Sequence, residues 1–223
     1  MKSHFELSPA EYERRRQGHL HRRRIELVAR EVACLAAGAT VLELGCGSGD
    51  VLAAVASARP DVRFLGVDLD PAMIDHATTT HAAPNVTYGR RDLVAEPPAV
   101  AAGLVFGIDV LHHVHELDPF VSAVAAVLAP AGIWLAIEPN SRNPYIWLHQ
   151  ERMRRAGLDE DHFRRAAFER AAAAAALEVV GRSAAFVVPG AVQRVPRAVE
   201  RFERLLERVP ALGGSVVYRL AFA

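Results

Sequence analysis

A glycine turn and three acidic side chains are the first residues in this chain whose types and spacing allow joint chemistry. The stretch VLELGCGSGD, from Val41 to Asp50, places glycines at 45, 47 and 49, where the missing Cβ lets the backbone turn sharply and approach a ligand closely. Glu43 stands just before the turn and suits the positively charged amino-acid end of a ligand. Asp68 ends the next apolar run, about 20 residues on, where a carboxylate can accept from both ribose hydroxyls of a nucleoside. Asp92 ends a third run and is placed to accept from an adenine amino group. Three acids around one nucleoside pocket, with no lysine in the turn, disfavour phosphate and favour a cationic cofactor without it. The turn itself departs from the dinucleotide pattern G-x-G-x-x-G, because Asp50 occupies the sixth position.

The elements that must position these residues follow from periodicity. Residues 9–36 read as one helix, with Ser8 as cap, Pro9 in the first turn and apolar residues recurring from Leu20 to Leu35. Strands are expected at 40–44, 63–69, 86–92, 103–111 and 132–140. Between them, Asp70 and Pro71 start a helix, and residues 119–130 form another, ended by Pro130 and Gly132. After Asn140 the pattern loosens through an aromatic and basic stretch, 141–163, followed by an alanine-rich helix at 164–176. A strand at 177–188, an amphipathic helix at 197–209 and a last strand at 215–223 complete the reading. Alternating βαβ units imply α/β architecture, a doubly wound sheet of seven mostly parallel strands with ligands at the strands' carboxyl ends.

With these motifs in hand, the chain resembles the class I, Rossmann-like S-adenosylmethionine-dependent methyltransferases. ELGCGSGD, GVDLDPAMI, RRDL, DVLHHV and VLAPAGIWLAIEPN follow one another as the successive motifs of that family do, over roughly residues 38–140. The resemblance implies S-adenosylmethionine as cofactor and S-adenosylhomocysteine as product. It places Glu43, Gly45, Cys46 and Gly47 along the methionine part, and Asp68 on the ribose with Leu69 and Met73 beside the adenine. It further places Asp92 and Leu93 at the adenine edge, with the backbone of Ile108 and Asp109 at the methionine end. It also implies that the last strand runs antiparallel to the rest. One departure is PAGIW, where the family commonly has a glycine pair and this chain has Ala131. The resemblance gives one domain over 1–223: an N-terminal helical cap (1–37), a cofactor-binding core (38–140), a substrate-covering insertion and helix (141–176), and C-terminal strands and helix (177–223).

Methyl transfer from a sulfonium is an in-line displacement, so alignment and exclusion of water matter most. A base near the acceptor adds roughly 10²–10⁴-fold. His112, His113 and His115, in VLHHVHE after the fourth strand, stand close to where the methyl should lie. His112 is the leading candidate, with Glu138 orienting it and stabilising its protonated form. The alternative is that the pair packs and hydrogen-bonds without reacting. A metal held by His112, His113, His115 and Glu116 is disfavoured, because adjacent histidines at a helix start point different ways; no metal is assigned. Tyr145, Trp147 and His149, in NSRNPYIWLHQERM, offer a wall for the acceptor, or they dock the segment on the sheet. His19, and with it His21, is a weaker candidate for the same pocket.

Composition bounds the partners. The 223 residues carry 26 Lys and Arg against 26 Asp and Glu, a formal net charge of zero, which removes any global electrostatic case for nucleic acid. The arginine clusters at Arg14, Arg15 and Arg16, at Arg22, Arg23 and Arg24, and at Arg152, Arg154 and Arg155 read as solvated helix faces. Two cysteines make no disulfide framework, the first residues show no signal peptide, and no apolar run reaches the ~20 residues of a membrane span. A cytoplasmic enzyme, monomer or homodimer, acting on a small-molecule acceptor is expected, in a composition that suits a high-GC bacterium with secondary metabolism. RNA or protein modification, or cofactor binding without catalysis, are the alternatives. Against base methylation, Asn143-Pro144-Tyr145 follows the fifth strand rather than the fourth.

Overall fold

The computed structural model describes residues 7–158, 161–190 and 192–223; the expectation about a leader peptide rests partly on residues 1–6, which lie outside them. Seven strands form one sheet: β1 (Thr40–Leu44), β2 (Arg63–Asp68), β3 (Val86–Arg90), β4 (Ala102–Ile108), β5 (Leu128–Pro139), β6 (Leu177–Ala185) and β7 (Ser215–Phe222). Their order across the sheet is β3-β2-β1-β4-β5-β7-β6. The first five are mutually parallel, and β7 inserts antiparallel between β5 and β6. Among the described residues, eight α-helices accompany them: α1 (Pro9–Arg16), α2 (His19–Ala33), α3 (Asp50–Ala56), α4 (Pro71–Thr80), α5 (Leu117–Val127), α6 (Pro144–Arg155), α7 (Arg165–Ala174) and α8 (Arg197–Leu206).

Both faces of the sheet are covered, and the strand sequences show why. Successive side chains point to opposite faces, so an interior strand between two helical layers is apolar throughout. In β5, Trp134 and Ala136 join the core beneath α5 and α7, while Leu135 and Ile137 join the core beneath α2 and α3. Val105 in β4 belongs to the first of these cores, and Leu104 and Phe106 to the second. Trp134 and Tyr218 both meet Phe168 of α7 edge-on, with ring centroids 5.3 Å apart in each case.

Several boundaries differ from the sequence reading. The helix expected over 9–36 is two helices, broken at Gln17 and Gly18. Gly18 adopts φ +130°, a conformation that side chains disfavour. The break lets α1, which buries none of its residues, leave the line of the amphipathic α2. The caps at the starts of α1 and α4 are as expected: Ser8 Oγ accepts from Glu11 N and Asp70 Oδ1 from Ala72 N. The helix expected to run to Pro130 ends at Val127, because Leu128 is already extended and begins β5. Pro130 and Gly132 fall instead in the irregular start of that strand, beside a register shift against Ala102 and Leu104, where a missing donor is tolerated. Residues 109–111 are not strand: Leu111–His113 form a 3-10 turn. The loosened stretch after Asn140 contains α6, started by Asn143, whose side chain accepts from Tyr145 N, with Pro144 in the first turn.

Candidate active site

The parallel register sets Leu44 opposite Val67 and Gly107, and Asp68 opposite Arg90, so the carboxyl ends of β1, β2 and β4 open side by side. The glycine turn crosses this opening. At Gly45, φ is +61° and an added Cβ would lie 2.8 Å from Val110 Cγ2, so the turn and the start of the next loop pack only without a side chain. Asp68 braces the turn: its Oδ2 accepts from Gly47 N at 2.7 Å and its Oδ1 from Asp70 N at 3.0 Å. Leu69, 65% exposed, and half-buried Met73 stand next to it. Asp92 lies two residues beyond β3, exposed, with Oδ1 held by Val94 N at 2.9 Å and Ala95 N at 3.3 Å, while Leu93 beside it is buried. Cys46 is buried, and burial together with the Glu43 and Asp68 carboxylates pushes its thiol well up. That leaves it a neutral wall rather than a nucleophile.

Glu43 carries the main test of whether these residues fit a cationic cofactor. It is 3% exposed, and its Oε2 is buried without a hydrogen-bond partner among the described residues, as are Ser48 Oγ and Asp50 Oδ2. Burial, then the Asp50 carboxylate, with Asp68 adding and the Arg16 guanidinium opposing, holds the Glu43 carboxyl well above the usual range. An orphaned carboxyl oxygen is costly, and an ammonium group set against it would satisfy it. The donor set fits.

An N-terminal cap over this opening was expected, but the ion pairs that fasten it were not. Asp109, at φ +59° just past β4, pairs through its side chain with Arg24 of α2 and, at 3.9 Å, with Arg16 of α1. Burial works to raise the Asp109 carboxyl, but Arg24 and Arg16, helped by His112, outweigh it and hold it below the usual range. Asp109 therefore contributes a charged side chain, not backbone alone. His21 Nε2 stands 3.5 Å from Asp50 Oδ2, and a Cβ on Gly47 would lie 3.5 Å from the Tyr12 ring. The reading of the N-terminal arginines as solvated faces is thus corrected for Arg16, Arg23 and Arg24. Arg23 is 7% exposed and pairs with Glu203 at 2.7 Å and Glu207 at 3.1 Å on α8. Such pairs compensate one another on burial. A signal for Arg24 was present, since it lies four and eight residues before Val28 and Val32, on the same buried stripe.

The histidine pair is also placed. Glu138, at the end of β5 and fully buried, accepts from Val110 N at 2.9 Å and Leu111 N at 2.7 Å through Oε1. Its Oε2 takes His112 N at 3.3 Å and meets His112 Nδ1 at 2.9 Å. Glu138 therefore caps the 3-10 turn and fixes the imidazole at once. With Nδ1–H donating to the carboxylate, Nε2 is the basic nitrogen. His112 is 6% exposed and lies 4.0 Å, centroid to centroid, from the less buried His113. His115 and Glu116 line a separate cleft with Arg164 and Arg170, so these four side chains do not gather on one point.

The remaining expected residues are scattered. His19 is 1% exposed, with Nε2 2.6 Å from Glu203 Oε2 and Nδ1 3.6 Å from Glu200, and joins α2 to α8. That placement corrects its expected role as a wall of the acceptor pocket. Tyr145, Trp147 and His149 lie exposed on α6, Tyr145 stacked on His149 and Trp147 on His162. Ile146 rather than Trp147 docks this helix, its Cδ1 lying 3.7 Å from where a Cβ on Gly214 would sit.

A sheet of order 3-2-1-4-5-7-6 with its seventh strand reversed is the Rossmann-like fold that methyltransferases share. Residues 42–134 match the family model described as a methyltransferase domain. A probable S-adenosylmethionine-dependent methyltransferase of Mycolicibacterium smegmatis is 33% identical over 121 residues, 53% of this chain and 45% of that protein. A trans-aconitate 2-methyltransferase of Methylobacterium radiotolerans is 30% identical over 113 residues, 51% of this chain and 42% of that protein. The chain thus spans about half the length of the curated relatives it matches. A crystal structure of an S-adenosylmethionine-dependent methyltransferase from Geobacter sulfurreducens in complex with S-adenosyl-L-homocysteine shares the fold. Its TM-score is 0.60 at 17% identity, covering 90% of this chain and 91% of that one. Residues 42–134 thus match a methyltransferase domain, and about half of the chain is similar to S-adenosylmethionine-dependent methyltransferases, with a structural neighbour that holds S-adenosyl-L-homocysteine. No described helix is long and apolar enough to cross a membrane.

Proposed function

We propose that this protein transfers the methyl group of S-adenosylmethionine to an oxygen, nitrogen or carbon nucleophile of a small metabolite. The observation that carries this reading is the unpartnered Glu43 carboxyl oxygen, buried among acids at the mouth of the glycine turn. Bound there, the cofactor supplies an electrophilic methyl on a sulfonium. The chain's own residues do the rest. Asp68 and Asp92 hold the nucleoside, Glu43 the ammonium end, and the helices α1 and α2, tied down through Asp109, keep water out. His112 Nε2 would take the proton that the acceptor gives up on methylation. Glu138 positions that ring and steadies its positive charge.

The acceptor enters beside α6, where exposed Tyr145, Trp147 and His149 offer stacking surface with polar edges. Curated relatives named trans-aconitate 2-methyltransferase and ubiquinone biosynthesis O-methyltransferase support a small acceptor. The test incubates the protein with methyl-labelled S-adenosylmethionine and a size-fractionated cell extract. Label in the low-mass fraction is the expected result. Label in nuclease- or protease-sensitive material overturns the reading.

Glu43 adds a pH prediction with a definite sign. A carboxyl raised above its unfolded value favours the folded protein at and below the ordinary glutamate pKa of about 4.3. That contribution disappears as pH rises through the raised folded value. An ammonium against Glu43 stabilises its ionised form, so S-adenosylhomocysteine binding expels a proton in the window between the two values. Calorimetric titration in two buffers of different ionisation enthalpy should show that release, and Glu43→Gln should abolish it. Buffer-independent binding heats in the unmodified protein would contradict the assignment.

A further inference from the structure

Away from the reacting atoms, three residues with metal-ligating side chains converge between α1 and α4. Glu13 of α1 places Oε2 2.9 Å from His76 Nε2 and 3.2 Å from His81 Nε2. The ligand atoms of all three lie within 4.8 Å of one another, and this is the one His/Cys/Asp/Glu group so arranged among the described residues. A tetrahedral ion with bonds of about 2.0–2.1 Å sets its ligands about 3.3 Å apart, close to the two contacts already in place. Each side chain is 18% exposed, sheltered yet open to an ion and a water.

The local backbone explains the convergence. On an unbroken helix, residues five apart point different ways. His81, however, is the C-cap of α4 and leaves helical geometry at φ −118°, ψ 27°, so its ring comes round beside that of His76, with centroids 6.2 Å apart. His76 Nδ1 faces Thr80 Oγ1 at 3.5 Å, the kind of outer contact that orients a ligating imidazole. Two imidazoles and one carboxylate suit a borderline divalent ion such as zinc, whereas calcium and magnesium prefer all-oxygen sites.

We propose that Glu13, His76 and His81 bind a divalent transition-metal ion of the zinc type, and that the ion fastens α1 over the cofactor opening. α1 and α4 belong to different parts of the fold, and Glu13 links them. The same short helix carries Tyr12, against Gly47, and Arg16, on Asp109. An ion at Glu13 therefore holds down the helix that closes the turn and slows cofactor exchange. This second part rests on the cofactor reading above; the metal site does not.

The test uses chelator-stripped protein carrying Cys34→Ser, which removes an exposed thiol from competition. Zinc alone, titrated against a chromogenic chelator, should bind at one equivalent, and cobalt should give the intense visible bands of a tetrahedral site. His76→Ala with His81→Ala should weaken zinc binding on the order of 100-fold or more, since loss of an outer partner alone costs up to about that. Glu13→Gln, which keeps shape and both rings, gives an independent loss should the double variant fail to fold. Zinc should also slow release of S-adenosylhomocysteine from the unmodified protein and not from the variants. No stoichiometric zinc, or equal affinity in the variants, overturns the site. Zinc binding with unchanged release overturns the fastening.

Discussion

Replacing Asp68 with alanine should raise the dissociation constant for S-adenosylhomocysteine roughly 100-fold, because two hydrogen bonds to a charged acceptor, about 1.5 kcal/mol or more each, disappear together. The effect has a second source in the protein itself. Asp68 also receives Gly47 N and Asp70 N, so its loss loosens the glycine turn on which the proposed cofactor site is built. Asp68→Asn keeps the shape and one accepting oxygen but not the charge, and should fall between, at about tenfold. Stability should fall by about 1–2 kcal/mol in Asp68→Ala, since two backbone N–H groups lose their acceptor, and by less in Asp68→Asn. Titration calorimetry measures both affinities, and thermal unfolding measures the stability. A dissociation constant for Asp68→Ala within about threefold of the unmodified protein would remove Asp68 from the nucleoside site.

Glu138 should produce the largest loss of stability of any single residue in the site. It is fully buried and receives Val110 N, Leu111 N and His112 N as well as the His112 ring. Alanine strands all of them, costing about 3–5 kcal/mol and lowering the melting temperature by roughly 10 °C in a domain of this size. Glu138→Gln separates the structural role from the positioning role. Its carbonyl can still serve Val110 and Leu111, but its amide meets the His112 ring donor to donor. That variant should fold with a smaller loss, about 1–2 kcal/mol, while turnover falls on the order of 100-fold. The pH–rate profile should lose its His112 limb. Full turnover with an unchanged profile in Glu138→Gln would leave His112 as packing and end its assignment as base.

What the sequence disclosed follows the reach of each signal. Apolar runs closed by acids located the strands to within a few residues, and Asp70-Pro71 located the start of α4, because these signals are local. Glu138 beside His112 was legible because one lies at, and the other just beyond, the carboxyl ends of neighbouring parallel strands. The break at Gly18 was not, since an amphipathic stripe on one side masked the polar, unburied helix on the other. α6 was missed although Asn143-Pro144 is a sound start signal, because its face is largely exposed and shows no apolar period. The pairings of Arg24 with Asp109, Arg23 with Glu203, and Glu13 with His76 join residues far apart in the chain. Composition shows such charges and cannot show their partners.

The reversed seventh strand has a consequence for how the chain assembles. β7 comes after β6 in sequence yet lies between it and β5, pairing with both. Neither neighbour can complete its ladder until residues 215–222 exist. A ribosome adds residues one end first, so for that interval β5, with the fully buried Leu135 and Ile137, offers an unpaired apolar edge to any other strand nearby. Closing so late a pairing is slow relative to local structure. The growing chain is therefore most open to aggregation just before β7 is made, and it covers the β5 edge and docks β6 in the same step.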